Sequence, residues 1–257
     1  MPQLLLRGTE LGAIDAVLFD KDGTLSISEP QLLTLAQARV FLCLEQVEAP
    51  LRDDLRQLLE RAYGLQAQAI CPAGITAVAS RDHNLIATAT ALVQVGLGWP
   101  EALAISEVVF AKADERDARR SQQHDGHTSA TTQGLHDCLK QLQAAGVRCA
   151  VISNDDMAGI EHFLESHDLA GYFSALWSAE HRPRKPDPAA VHGLCDQLAV
   201  PVSRCALIGD ANSDLRMAVA AGIPHQRALG YIAAWQTPPP LIEPHPRIHA
   251  WSELTVR

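Results

Sequence analysis

The stretch Ala16-Val17-Leu18-Phe19-Asp20-Lys21-Asp22-Gly23-Thr24-Leu25 decides how this chain is read. Four consecutive apolar residues suit a strand buried on both faces, the kind found inside a parallel sheet. Asp20 and Asp22 follow at once, ahead of a glycine turn. An ionised carboxylate taken out of water needs a metal, a cation or several donors to offset its lost hydration. A strand ending in Asp-x-Asp-Gly can therefore offer one carboxylate as nucleophile and another as proton donor, with a cation between the charges.

Outward from this stretch, residues 147–152 and 205–208 repeat the short apolar pattern and, with residues 14–19, predict three parallel strands. Each ends in a polar cluster: Asp20-Lys21-Asp22, Ser153-Asn154-Asp155 and Gly209-Asp210. Helices are expected over residues 131–145, closing at Gly146, and over 187–198, where Asp187-Pro188 supplies a cap and a first turn. Such alternation implies one parallel sheet with crossover helices, and ligands bind such sheets beyond the carboxyl ends of the strands. All three polar clusters fall at that edge. The expected class is α/β, with a doubly wound, Rossmann-like parallel-sheet core.

Residues 29–125 have a different texture. Glu29-Pro30 opens a helical pattern running to about residue 48, and Leu51, Leu55, Leu58, Leu59 and Ala62 recur at helical spacing. Further helices are expected over 82–95 and from Pro100-Glu101 onward, the latter carrying Leu103, Val109 and Phe110. No strand-like alternation occurs, so an all-helical insert of about four helices is expected. The domains are then a core of residues 1–28 and 126–257 and an inserted cap of residues 29–125. Residues 115–129, rich in Arg, Gln, His and Ser, read as the return linker, with His124 and His127 solvated rather than bound to metal.

The composition narrows the function. With 47% hydrophobic residues over 257 positions, a full core can be buried. A net charge of −9 argues against nucleic-acid partners. It does not argue against an anionic substrate, because a local metal and lysine outweigh the global field. The six cysteines, at positions 43, 71, 138, 149, 195 and 205, form no Cys-x-x-Cys pair and suit buried thiols in a reducing compartment. Residues 1–11 lack the pattern of a signal peptide, and no apolar run approaches the roughly 18 residues of a membrane span. A cytoplasmic protein without membrane or nucleic-acid partners is expected.

Asp20-Lys21-Asp22-Gly23-Thr24-Leu25, Ser153, Lys185 and Gly209-Asp210-x-x-x-Asp214 occur in the order and spacing of the haloacid dehalogenase superfamily of phosphohydrolases. The chain resembles the subgroup with a helical cap inserted after the first motif, which includes phosphoglycolate phosphatase and β-phosphoglucomutase. The resemblance spans residues 14–230. It implies a magnesium-dependent phosphatase acting on a small phosphorylated metabolite, with Asp20 as the nucleophile that forms an aspartyl-phosphate. Asp22 would protonate the leaving alkoxide and then activate water. Mg2+ would be held by Asp20, Asp22 (through its backbone carbonyl), Asp210 and Asp214, the last also suited to the first turn of a helix. Phosphate would be bound by Ser153, Asn154, Lys185 and Gly23, although Ser-Asn-Asp also reads as a plain helix cap.

Lys185, one of four lysines, stands between Pro183 and Pro186 and would set a point charge against Asp20 and the phosphate. Arg182 and Arg184 read as surface residues. Lys21 departs from the apolar residue many relatives carry between the two aspartates; it either points to the cleft mouth or satisfies a neighbouring carboxylate. In the insert, Arg81, His83 and the loop 71–80 are substrate-facing candidates, with packing as their plainer role. A dehalogenase would need neither Asp22 nor Asp210, and a phosphonate-cleaving relative would need a cap lysine, for which Lys112 is poorly placed. A sugar-phosphate mutase shares every core residue with a phosphatase. A non-catalytic binding protein on this fold is expected to have lost one of Asp20, Asp22, Lys185 or Asp210, and all four are present.

Overall fold

The computed structural model of the chain describes residues 1–123 and 129–257. It divides into two compact units, Met1–Ser28 with Ser129–Arg257, and Glu29–Thr128. The chain opens in the first unit with β1 (Gln3–Leu6), β2 (Thr9–Ala13), β3 (Ala16–Phe19) and β4 (Ser26–Ile27). The second unit holds α1 (Glu29–Glu45), α2 (Arg52–Tyr63), the single turn α3 (Ile75–Val78), α4 (Arg81–Gln94) and α5 (Trp99–Gln123). Back in the first unit come β5 (Ala130–Thr131), α6 (Leu135–Ala144), β6 (Arg148–Ile152), α7 (Met157–Ser166) and β7 (Phe173–Trp177). The chain ends through α8 (Pro188–Leu198), β8 (Cys205–Gly209), α9 (Asn212–Ala220), β9 (Ala228–Tyr231), β10 (Arg247–Ile248) and β11 (Leu254–Val256).

The first unit is built on a six-stranded sheet ordered β10-β9-β8-β3-β6-β7, parallel at every pairing. β3 and β8 are buried at every position, as their unbroken apolar runs require. One face, with Leu18, Ala150 and Ile152, packs on Val191 and Leu194 of α8 and Leu215 and Ala218 of α9. On the other, Phe19 meets the rings of Phe173 and Trp251, each at 5.9 Å. Helices therefore cover a doubly wound parallel sheet, the expected class. α8 starts as its sequence predicts: the Asp187 carboxylate accepts from the Ala189 N–H, and Pro188 holds the first position.

Several elements depart from expectation. The sheet has six strands rather than three, because β7, β9 and β10 are short or only half buried and give no long apolar run. The helix expected over 131–145 begins at Leu135, since Thr131 is drawn into a two-stranded ladder with Ser26. Residues 3–13 fold as a hairpin that pairs antiparallel with β11, joining the two ends of the chain. Residues 115–123 continue α5 instead of forming a linker, and Asp117 accepts from Gln31 of α1 at 2.9 Å. His124 and His127 lie outside the described residues. The second unit has its own core, with Leu42, Leu55, Leu59, Leu92, Val109 and Phe110 contributed by four long helices.

Candidate active site

The three polar clusters meet because their strands are neighbours. In register, Phe19 pairs with Val151 on one side and Ile208 on the other. Asp20, Ser153 and Asp210 therefore leave adjacent strand ends, where strands lie about 5 Å apart. The Asp20 N–H donates to the Ile208 carbonyl and the Ser153 N–H to the Trp177 carbonyl, both at 2.9 Å, so the ladders fix both residues. β3 also lies where the connections turn from one side of the sheet to the other, the usual place for a ligand in such folds.

After Asp20 the backbone curls tightly, with the N–H groups of Thr24, Leu25 and Ser26 all directed at the Lys21 carbonyl. Gly23 makes this possible at φ +76°, a conformation that costs glycine nothing. A Cβ there would run into the Asp210 carboxylate and the Trp235 indole. The Gly23 N–H is already engaged, donating to the Ser26 carbonyl and the Ser28 hydroxyl at 3.1 Å each. The phosphate-binding part expected of Gly23 is thus not supported by its geometry; its place is set by crowding.

The central feature is an excess of negative charge. Asp20, Asp210 and Asp214 are all buried, and one carboxylate oxygen from each falls within 4.8 Å of the others. Lys185, itself 5% exposed, donates to Asp20 Oδ1 at 2.7 Å, sits 2.9 Å from Asp214 Oδ1 and reaches the Ile152 carbonyl at 3.3 Å. Burial disfavours its ammonium, but the two carboxylates outweigh this and hold its pKa above the ordinary lysine value. Burial, reinforced by the Asp214 and Asp22 charges and opposed by Lys185, pushes Asp20 up to about 6. Asp210 is raised well above the carboxylate range, by burial and then by Asp20 and Asp214. Three carboxylates facing one ammonium leave a charge of −2 when all are ionised. A compact set of oxygen donors with that charge suits a hard divalent cation such as Mg2+. Asp22 stands outside the cluster.

Trp235 is the member that sequence reading missed. Its indole Nε1 donates to Asp210 Oδ2 at 2.7 Å, and no motif announces a tryptophan twenty-five residues after an aspartate. The proline-rich loop behind it, residues 237–246, is tied to α9. Asn212 donates to the Pro240 carbonyl at 2.9 Å and accepts from the Ile242 N–H at 3.1 Å. This anchoring carries Trp235 to the strand ends.

The remaining expected residues divide. Ser153 is buried at the tip of β6, where its hydroxyl accepts from the Asp155 N–H at 3.1 Å. Asn154 follows it in the same turn, but the cap of α7 is Asp156, which accepts from the Gly159 N–H at 2.7 Å. Of the two options for Lys21, the structure takes the second: its ammonium lies 2.7 Å from Asp22 Oδ1 and 3.1 Å from Asp155 Oδ2. Arg81 and His83 belong to the helical unit. There Arg81, which is exposed, pairs with Asp114 at 2.7 Å, and the exposed His83 hydrogen-bonds the Ser80 hydroxyl through Nδ1 at 3.1 Å.

The family model of haloacid dehalogenase-like hydrolases matches residues 14–222. The chain belongs to that family. Among curated relatives, the phosphoglycolate phosphatase of Colwellia psychrerythraea is 27% identical over 212 residues, covering 81% of each chain. The phosphoglycolate phosphatase of Pseudomonas syringae pv. syringae is 27% identical over 215 residues, 80% of this chain and 66% of the relative. The Pseudomonas savastanoi phosphoglycolate phosphatase is 34% identical over only 91 residues, about a third of either protein. In fold, a predicted phosphoglycolate phosphatase from Haemophilus somnus superposes with a TM-score of 0.66 at 18% identity, covering 95% of this chain and 97% of that one. A presumed β-phosphoglucomutase from Thermotoga maritima superposes at 0.54 with 17% identity, covering 85% and 86%. No helix among the described residues is long and apolar enough to cross a membrane.

Two outcomes follow from the charge cluster. Asp20 and Asp210 have folded-state pKa values raised above 3.8, so the stability they contribute is complete below the ordinary carboxylate pKa and is lost as pH rises, for Asp20 through about 6. For Asp20 this loss is of order 3 kcal/mol. Thermal melts of the chelator-treated protein should therefore show magnesium raising Tm clearly at about pH 7.5 and hardly at about pH 4.5. A magnesium effect of equal size at both values contradicts the carboxylate site. Replacing Trp235 by Phe removes the donor to Asp210 and should weaken Mg2+ binding about tenfold in calorimetric titration, with the fold retained.

Proposed function

We propose that this chain is a Mg2+-dependent phosphatase that hydrolyses a phosphomonoester of a small metabolite through an aspartyl-phosphate on Asp20. The observation that carries this reading is the Asp20 carboxylate itself. It is buried at the tip of β3 and fixed through Oδ1 by Lys185, with two more carboxylates beside it and a fourth, Asp22, two residues along. The curated relatives that align over most of this chain are named phosphoglycolate phosphatases, which supports the same reaction class and makes phosphoglycolate the first metabolite to test.

In the first displacement Asp20 Oδ2 attacks phosphorus, and the ester oxygen departs with a proton from Asp22. In the second, Asp22, now a carboxylate, takes a proton from water. The water oxygen adds to phosphorus, the bond to Asp20 breaks, and inorganic phosphate leaves. Lys185 and the Ser153 hydroxyl would hold phosphoryl oxygens through both steps. A Mg2+ ion held by Asp20, Asp210 and Asp214, with the Asp22 carbonyl, would supply the positive charge that lets a dianionic ester approach a buried carboxylate. The helical unit is proposed to select the substrate. The unpaired, mostly buried cysteines suit a cytoplasmic enzyme.

The dehalogenase alternative leaves the buried Asp210 and the held Asp22 without a task. A mutase would use the same core and differ in excluding water from the phosphorylated Asp20. A metabolite panel separates them: a phosphatase releases inorganic phosphate, whereas a mutase returns an isomeric sugar phosphate. Asp20→Asn should lose at least about 10³-fold in kcat while keeping the far-ultraviolet dichroism of the native fold. Retention of native turnover by Asp20→Asn rules out the covalent route.

A further inference from the structure

Lys21 is buried to 7% exposure and committed to two carboxylates. Its ammonium lies 2.7 Å from Asp22 Oδ1 and 3.1 Å from Asp155 Oδ2, and 5.6 Å from the centre of the Phe163 ring. The two aspartates come from different strand ends, Asp22 from the turn after β3 and Asp155 from the turn after β6. Lys21 bridges them much as Lys185 bridges Asp20 and Asp214. The bridge is also built from the far side. Asp155 Oδ1 accepts from the Asp156 N–H at 2.9 Å, and the Asp155 carbonyl accepts from the Ala179 N–H at 2.8 Å. α7 carries glycine at 159, where a Cβ would fall 2.6 Å from Asp155 Oδ2. Room for that carboxylate is thus set aside in the helix.

Among the described residues, one further side chain hydrogen-bonds the Asp22 carboxylate. It is the Ser26 hydroxyl, which reaches the same Oδ1 at 3.2 Å. Both contacts engage one oxygen, Oδ1. An aspartate turns freely about two bonds, and an acid that must meet the leaving oxygen within hydrogen-bond distance works only if that freedom is removed. We infer that the Asp155–Lys21 pair is a positioning device for Asp22, aiming its carboxyl at the departing ester oxygen. This rests on the proposed role of Asp22 as the acid.

Proton donation matters most for poor leaving groups, which gives the assignment its own readout. Hydrolysis of phenyl phosphate, with its basic leaving group, and of p-nitrophenyl phosphate, whose leaving group needs little help, is compared through kcat/KM, which reports the step that expels the alcohol. Asp22→Asn is the reference and should raise the preference for p-nitrophenyl phosphate at least about tenfold. Lys21→Met should shift the preference in the same direction by a comparable factor, and Lys21→Arg should return it to within about threefold of the native ratio. Should Lys21→Met fail to fold, Asp155→Asn and Gly159→Ala, which disturb the bridge from the other end, should each move the ratio by at least about threefold.

If Asp22→Asn leaves the ratio unchanged, the role of Asp22 itself is wrong. If Asp22→Asn shifts it while Lys21→Met, or both variants at the far end, slow the two substrates equally, Lys21 serves stability alone and the inference is overturned. A Lys21→Arg ratio no better than that of Lys21→Met also overturns it.

Discussion

Three aspartates packed around one lysine ammonium form the constraint on which the rest of this structure depends. Two unit charges about 4 Å apart interact by about 4 kcal/mol even at an effective dielectric constant of 20. Burial and mutual repulsion therefore oppose ionisation of Asp20 and Asp210. The strain appears in the raised pKa values of Asp20 and Asp210. In the proposed phosphatase it would make the site attractive to a divalent cation and, through that cation, to a dianionic ester.

The sheet holds such a cluster together. Asp20 and Asp210 sit on neighbouring strands whose backbones are locked in parallel register, so neither carboxylate can retreat far from the other. The covered faces of the sheet, with Leu18 and Ile152 on one side and Phe19 on the other, anchor those strands. Lys185 arrives from the loop before α8, whose start is fixed by the Asp187 cap. Positional restraint at each strand end thus comes from packing well away from the charges.

Two features sit beside this family framework. Trp235 lies beyond the matched stretch of residues 14–222, in a C-terminal loop laced to α9, and puts an indole N–H on Asp210, the third carboxylate of the cluster. Lys21 lies inside the first motif and gives Asp22 a cation of its own. The outcome is a division of labour between two buried lysines. Lys185 serves the carboxylates of the charge cluster, and Lys21 serves the carboxylate proposed to move protons.

Much of this was legible in the chain alone. The run 16–19 and the clusters after residues 152 and 208 identified strand ends, since only buried strands justify unbroken apolar residues followed at once by charge. Their order and spacing named the family. The short strands β7, β9 and β10 were not legible, because runs of two to five residues carry no pattern of their own and become strands only beside a ready-made edge. Nor was the N-terminal hairpin, whose partner β11 lies at the opposite end of the chain. The sequence by itself determined which residues bear charge at the strand ends, because local pattern and burial dictate that. Only the tertiary structure decided which charge faces which: Lys21 to Asp22 and Asp155, Lys185 to Asp20 and Asp214, Trp235 to Asp210. Those pairings depend on distances across strands and loops far apart in sequence, and a linear pattern does not contain them.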